Sequence, residues 1–269
     1  MLEKTRWALV TGASSGLGRS LVRLLVTERG MSVIATARRR DRLDELAAEL
    51  PRGKVLAIDG DIADPGFRDR LWNEVERLEG GLDLLVNNAG IGHYSDFGEE
   101  DPAMIERILA VNVHALFDLT RRAVGTMRAR GGGRIVQISS VLGEFGIPYS
   151  ATYTASKHAV NGLVKSLRHE LRGSGVRVQA ALPGRFASEF RFHSLGDREE
   201  PGRPIGGEPT ERVARGILKG LDSRRTFVAP TWSAWATVTV SRILRGPFDA
   251  FISVWGRRQF GREMGKHDV

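Results

Sequence analysis

Tyr153 and Lys157 stand four residues apart in YTASK, and Ser140 closes the run RIVQISS thirteen residues before that tyrosine. A phenol, an ammonium and a hydroxyl are the groups needed to move a proton on or off a hydroxyl or carbonyl oxygen. An unperturbed tyrosine titrates near pH 10, too high for an efficient base, and a nearby cation lowers it by favouring the phenolate. Positions i and i+4 share a helix face, so Lys157 is expected to supply that charge. Ser140, at the end of a strand, can hydrogen-bond the same oxygen and stabilise charge developing on it.

A second set of residues addresses a nucleotide. TGASSGLG places Gly12, Gly16 and Gly18 at a strand-to-helix turn, with Ser14, Ser15 and Leu17 between them. Glycines let the backbone approach a pyrophosphate, and the helix N-terminus offers unpaired N–H groups and a positive dipole. An acid ending the next strand would accept from a ribose 2′-hydroxyl and repel a 2′-phosphate. That position is Ala37, followed by Arg38, Arg39 and Arg40. A guanidinium binds phosphate bidentately, so NADP(H) is expected over NAD(H), with Arg38 the leading contact and Ser14 the second. Together the two sets fit hydride exchange between a nicotinamide and an alcohol or ketone, Tyr153 taking or returning the hydroxyl proton.

These groups need a scaffold that brings distant stretches together. Short aliphatic runs alternate with longer helical ones from residue 6 to about 230, the pattern of βαβ units. Strands are expected at WALVTG from Trp7, SVIAT from Ser32, KVLAI from Lys54, LDLLV from Leu82, RIVQIS from Arg134, VRVQAAL from Val176 and TFVA from Thr226. Helices are expected to begin near Gly16, Asp41, Pro65, Pro102, Ala151 and Pro209, several opened by Asp or Pro. The expected fold class is α/β, a doubly wound, Rossmann-like, seven-stranded parallel sheet with helices on both faces. Residues 1–230 form the dinucleotide-binding catalytic domain and 231–269 a C-terminal amphipathic basic extension packed on it. Residues 196–209, rich in Gly and Pro, read as a loop.

Composition narrows the chemistry. The absence of cysteine removes thiolate catalysis, disulfides and Cys-ligated metal sites, and no metal is expected. The start, MLEKTRW, carries charge where a secretory signal would be apolar, which predicts a cytoplasmic protein. Thr226 to Ser241, the longest uncharged stretch of the tail, is too short for a transmembrane helix. The net charge is +8, and residues 224–269 contribute eight Lys/Arg against three Asp/Glu. No recognition motif or basic stripe for nucleic acid lies in the main domain, so no nucleic-acid partner is expected.

TGASSGLG at Thr11, Asp61-Ile62, NNAG at Asn87, the VNV centred on Asn112, ISS ending at Ser140, YTASK at Tyr153 and PG at Pro183 resemble, in order and spacing, the short-chain dehydrogenases/reductases in their compact single-domain form. The resemblance covers roughly the first 230 residues. It implies that Asn112 is a fourth catalytic residue, holding a water that links Lys157 to solvent, and that Lys157 also binds the nicotinamide ribose. It further implies Asp61 and Ile62 beside the adenine, Asn88, Ala89 and Gly90 on the cofactor floor, and Pro183, Gly184, Phe186 and Ser188 near the nicotinamide. Phe186 is bulkier than the usual aliphatic residue there. A homodimer or homotetramer, built through the helices carrying Asn112 and Tyr153, is implied too.

Substrate choice is expected in the segments around His93, between Ser140 and Tyr153, and after Pro183. His93, Leu142, Phe145, Tyr149 and Phe190, with Phe186, would give an aromatic pocket for a lipophilic alcohol or ketone. In the tail, Trp232 and Trp235, then Phe248, Phe251, Ile252 and Trp255, suggest two helices broken at Gly246-Pro247 and edged with arginines. Two readings stand side by side for this extension: peripheral docking on an anionic membrane, or a helix pair covering the pocket or a subunit interface. For the whole chain, the alternative to an enzyme is an NADP(H)-binding regulatory module without turnover.

Overall fold

Seven aliphatic runs assemble into one parallel sheet in the computed structural model, which describes residues 6–187, 192–194 and 207–263. The strands are β1 (Trp7–Thr11), β2 (Ser32–Ala37), β3 (Val55–Asp59), β4 (Leu82–Asn87), β6 (Gly133–Ile138), β7 (Val176–Ala181) and β9 (Phe227–Val228). Their order is β3-β2-β1-β4-β6-β7-β9. Strands this continuously apolar cannot face water, and the helices cover both sides. On one face α1 (Gly16–Thr27), α2 (Arg40–Ala48) and α7 (Thr210–Leu221) bury Leu21, Leu25, Leu43 and Ile217. On the other, α3 (Pro65–Glu76), α5 (Leu116–Ala129) and α6 (Ala151–Glu170) bury Leu71, Leu119, Met127 and Val164.

The helix starts follow their sequence signals. Asp64 caps α3, accepting from Gly66 N at 2.9 Å and Phe67 N at 3.1 Å, with Pro65 in the first turn. Asp101 does the same for α4 (Pro102–Leu109), accepting from Ala103 N at 2.9 Å. The stretch from Pro102 runs on to α5 through a widened π-type turn at Ala110–Ala115, the turn that carries Asn112.

The chain reverses its winding direction between β1 and β4. The loops leaving these two strands therefore part at the carboxyl edge of the sheet, opening a crevice between them. The glycine turn follows β1, NNAG closes β4, Ser140 follows β6 and Pro183 follows β7, so these four motifs meet at that edge, while Asn112 and the Tyr153–Lys157 pair come from helical segments.

Beyond the expected strands, β5 (Gly92–Tyr94) and β8 (Phe192–Ser194) form a small parallel pair. The extension folds as α8 (Trp232–Ile243) and α9 (Arg245–Glu263). Its break falls at Leu244 rather than at Gly246-Pro247. Pro247 sits in the first turn of α9, where its missing N–H costs nothing. No helix among the described residues is long and apolar enough to cross a membrane.

Candidate active site

The turn after β1 is shaped by close backbone approaches. Gly12 has φ +67°, a left-handed value that glycine adopts without strain. A Cβ on Gly18 would lie 2.2 Å from the Gly12 carbonyl oxygen, so helix α1 can start this close only with glycine there. Asn88 secures the arrangement by donating its side-chain amide to Thr11 O at 2.9 Å and Gly12 O at 3.2 Å. The buried Thr11 hydroxyl accepts from Asn88 N at 3.0 Å and Ala89 N at 2.9 Å.

Helix α1 starts at Ser15 without a side-chain cap and has no acid in its first turn. Its leading N–H groups and dipole are thus open to an anion. Arg39, rather than Arg38, reaches the hydroxyl of Ser14, at 3.2 Å. Arg38 is exposed and its charge helps hold Asp61 ionised. Arg40 is occupied by Asp44 at 2.8 Å and Asp59 at 3.2 Å. Burial works against Asp61, but the Ala63 N–H and the Arg107 guanidinium at 2.6 Å outweigh it and keep its carboxyl below the ordinary range. Open amides with two basic side chains beside them fit the phosphates of a dinucleotide.

Ser140, Tyr153 and Lys157 converge beside this turn. All three are buried. Ser140 and Tyr153 share a side-chain hydrogen bond, and the Ser140 hydroxyl also accepts from Leu142 N at 3.1 Å. Lys157 Nζ lies 5.5 Å from the Tyr153 ring centre and donates to Ile138 O at 3.0 Å. Asn112, fully buried, donates to Ile91 O at 2.9 Å and to the Ser156 hydroxyl at 3.0 Å, and accepts from Ile91 N at 2.9 Å. Its amide oxygen and Lys157 Nζ lie 3.4 Å and 3.6 Å from the point where a Cβ on Gly90 would sit. Glycine at 90 thus leaves room between them.

One expectation is corrected here. The lysine was expected to pull the phenol of Tyr153 below its ordinary value. Burial instead pushes it up, the Ser140 hydrogen bond opposes this, and the neighbouring Tyr94 adds to the rise. The same burial brings the Lys157 ammonium down to about 8.

The expected substrate segments meet unevenly. His93 is buried in β5, and Tyr149 takes φ +61°, a strained value for a non-glycine, while its carbonyl accepts from Ser95 N at 2.9 Å. Phe145 packs edge-on against Phe248 of α9, ring centres 4.9 Å apart. Val141 N donates to Pro183 O at 3.0 Å, joining the Ser140 loop to the Pro183-Gly184 segment. Phe186 packs against the α1/α7 core. Ser188 and Phe190, and residues 196–206 of the loop expected over 196–209, lie outside the described residues. Sequence reasoning missed Thr11, Arg39 and Ser139, whose hydroxyl donates to Lys157 O at 3.3 Å. It also missed Glu144, a buried carboxylate held by Asn161 at 2.9 Å and Arg242 at 2.9 Å. Thr11 and Ser139 stand inside motifs quoted above and Arg39 beside Arg38, whereas nothing marked Glu144.

An α/β crevice flanked by a buried serine after β6 and a buried tyrosine and lysine of α6 is the architecture of a nicotinamide-dependent oxidoreductase. Residues 6–198 match the short chain dehydrogenase family, to which the chain belongs. It is 35% identical over 188 residues to a 3alpha-hydroxysteroid dehydrogenase of Mediterraneibacter gnavus, covering 68% of this chain and 75% of that one. It is 38% identical over 203 residues to a farnesol dehydrogenase of Aedes aegypti, covering 71% and 82%. A short-chain dehydrogenase of Sphingobium yanoikuyae, solved in complex with NADPH, superposes with a TM-score of 0.75 at 28% identity, covering 91% and 95%. Other solved structures of this fold are complexes with NAD and with NADP.

Proposed function

We propose that the protein is an NADP(H)-dependent oxidoreductase that interconverts a secondary alcohol and a ketone, or an aldehyde and its alcohol, on a lipophilic substrate. The observation that carries this reading is the buried hydrogen bond between Ser140 and Tyr153, with Lys157 behind the ring and the glycine turn alongside. The dinucleotide would lie on Gly12, Ser14, Ser15, Gly16, Leu17 and Gly18, with Asp61 and Ile62 at the adenine and Asn88–Gly90, Pro183 and Gly184 toward the nicotinamide. Arg38 and Arg39 would take the 2′-phosphate in place of the acid that Ala37 lacks.

A bound nicotinamide would supply or accept the hydride at the carbon that bears the reacting oxygen. Tyr153 Oη holds the proton that oxygen gains in reduction and receives it back in oxidation. Ser140 fixes the oxygen and stabilises its developing charge. Lys157 holds the ribose and, with Asn112, returns the proton to solvent. Relatives named for a hydroxysteroid and for farnesol, with the aromatic segment around Phe145 and Tyr149, support a lipophilic substrate. On this reading the enzyme works in the cytoplasm as a homodimer or homotetramer joined through α5 and α6, with residues 1–230 as the catalytic domain and 231–269 as an extension of it.

The test is a thermal-shift comparison of NADP with NAD, followed by NADPH consumption with a panel of lipophilic ketones and aldehydes. Tyr153→Phe is expected to keep NADPH binding and lose about 10²–10⁴ in turnover. Stronger stabilisation by NAD overturns the cofactor assignment. NADPH binding without turnover on any of the panel would support a regulatory module instead.

A further inference from the structure

We propose that α8 and α9 form an in-plane docking face for an anionic lipid bilayer. Large apolar side chains are exposed on consecutive turns of both helices: Trp232 is 77% exposed and Ile243 73%, with Trp235, Phe251, Val254 and Trp255 between 40% and 60%. Elsewhere among the described residues only Leu56 and Phe97 are large apolar groups left this open. The helices have already used their inner sides: α8 buries Ala234, Val238 and Ser241, while α9 buries Ile252 and lays Gly256 against Pro148. Trp232, Trp235, Ile243, Phe251 and Val254 are therefore a surplus beyond those inner contacts, and contiguous apolar surface of this kind marks an interaction face.

The chemistry of that surplus selects a membrane. Tryptophan seats its ring at the boundary between acyl chains and headgroups, where its indole N–H finds water or a phosphate. Arg245, Arg257 and Arg258 make no ion pair with any described residue, whereas Asp249 is the one acid among residues 232–258. On α9, Arg258 follows Val254 by four residues and Phe251 by seven, so a guanidinium borders the apolar flank and can reach lipid phosphates as the rings insert. A second copy of the same face would bring these like charges together, which disfavours a symmetric dimer through it. No helix among the described residues is long and apolar enough to span a bilayer, so the proposed contact lies along the surface. Phe145 and Phe248 tie this platform to the loop between Ser140 and Tyr153.

The test is flotation of the full chain with phosphatidylcholine vesicles with and without phosphatidylglycerol. The protein is expected to float on the anionic vesicles, to quench its tryptophan fluorescence on brominated lipid, and to release in high salt. Replacing Trp232, Ile243 and Phe251 together by Gln should lower partitioning about tenfold or more, with an unchanged circular-dichroism melt. Arg257→Gln with Arg258→Gln should weaken binding to anionic vesicles only. The proposal is overturned if the wild-type chain neither floats nor quenches, or if the apolar variant floats as well as the wild type. It is overturned equally if light scattering shows that the apolar variant splits a wild-type oligomer, which would assign the face to a second copy. None of these readouts depends on turnover.

Discussion

Arg242 on α8 meets Glu144, four residues past Ser140, with its Nη2 at 2.9 Å and Nε at 3.0 Å from one carboxylate oxygen, while Asn161 of α6 holds the other at 2.9 Å. The Glu144 side chain is only 8% exposed, so its charge is desolvated and depends on these partners. The extension thus braces the loop that leads from the Ser140 turn toward Tyr153. Asn161 completes the brace by donating to Gly143 O at 2.9 Å.

Arg242→Ala should therefore cost more than a surface arginine. Removing one partner leaves a buried carboxylate half-satisfied, and because Arg242 itself is half-exposed the loss should be about 1–2 kcal/mol rather than the larger figure for a fully buried pair. Urea unfolding measures it. Adding Glu144→Gln should restore most of the stability, since the amide still accepts from Asn161; a double variant no better than the single one would mean the pair is not coupled.

Lys157 gives the stability a pH dependence of definite sign. Its folded-state value, about 8, lies below the 10.5 of an exposed lysine, so the unfolded chain holds more protons between these values. Stability must then rise with pH through that window, by on the order of 3 kcal/mol from this residue alone, about 2 of it by pH 9.5. Comparing urea midpoints at pH 7 and 9.5 for wild type and Lys157→Met isolates the effect, because the other groups cancel. The wild type should gain on the variant at the higher pH; an equal gap at both would show that the ammonium is not desolvated.

What the sequence made legible was whatever local pattern encodes. The continuous aliphatic strands announced a doubly covered parallel sheet, and the glycine spacing announced the turn at its switch point. Tyr153 and Lys157 were readable because one helix carries both. Tertiary context decided the rest. Glu144 and Arg242 are 98 residues apart, and nothing in either segment marks its partner. Strands β5 and β8 are three residues each and exist only by pairing with each other. The upward push on the Tyr153 phenol comes from burial by the whole fold, which no local pattern encodes.

Cofactor preference should divide among the three adjacent arginines. A charge-assisted contact to phosphate is worth about 1.5–3 kcal/mol, so Arg38→Ala or Arg39→Ala should each reduce the preference for NADPH over NADH by about tenfold or more. Arg40→Ala should leave the ratio alone, since that side chain is committed to Asp44 and Asp59. Titration of both dinucleotides by fluorescence reads the ratio. Equal losses for both cofactors would assign these arginines to the fold rather than to a phosphate.

Two glycine substitutions with identical chemistry should act in opposite directions. At Gly18 a new Cβ would meet the Gly12 carbonyl at 2.2 Å and Asn88 Nδ2 at 2.5 Å, one a backbone atom and the other the amide that holds the turn. Neither can yield without moving the glycine loop, so Gly18→Ala should destabilise by roughly 1–3 kcal/mol. It should also lose dinucleotide affinity beyond what the stability loss explains. At Gly125, inside α5, a Cβ meets nothing within 4 Å. Gly125→Ala should stabilise by roughly 0.5–1 kcal/mol through helix propensity and leave cofactor binding unchanged. Thermal melts with and without NADPH separate the two effects, and a Gly18→Ala protein that bound NADPH normally would refute the close approach of α1 to the turn.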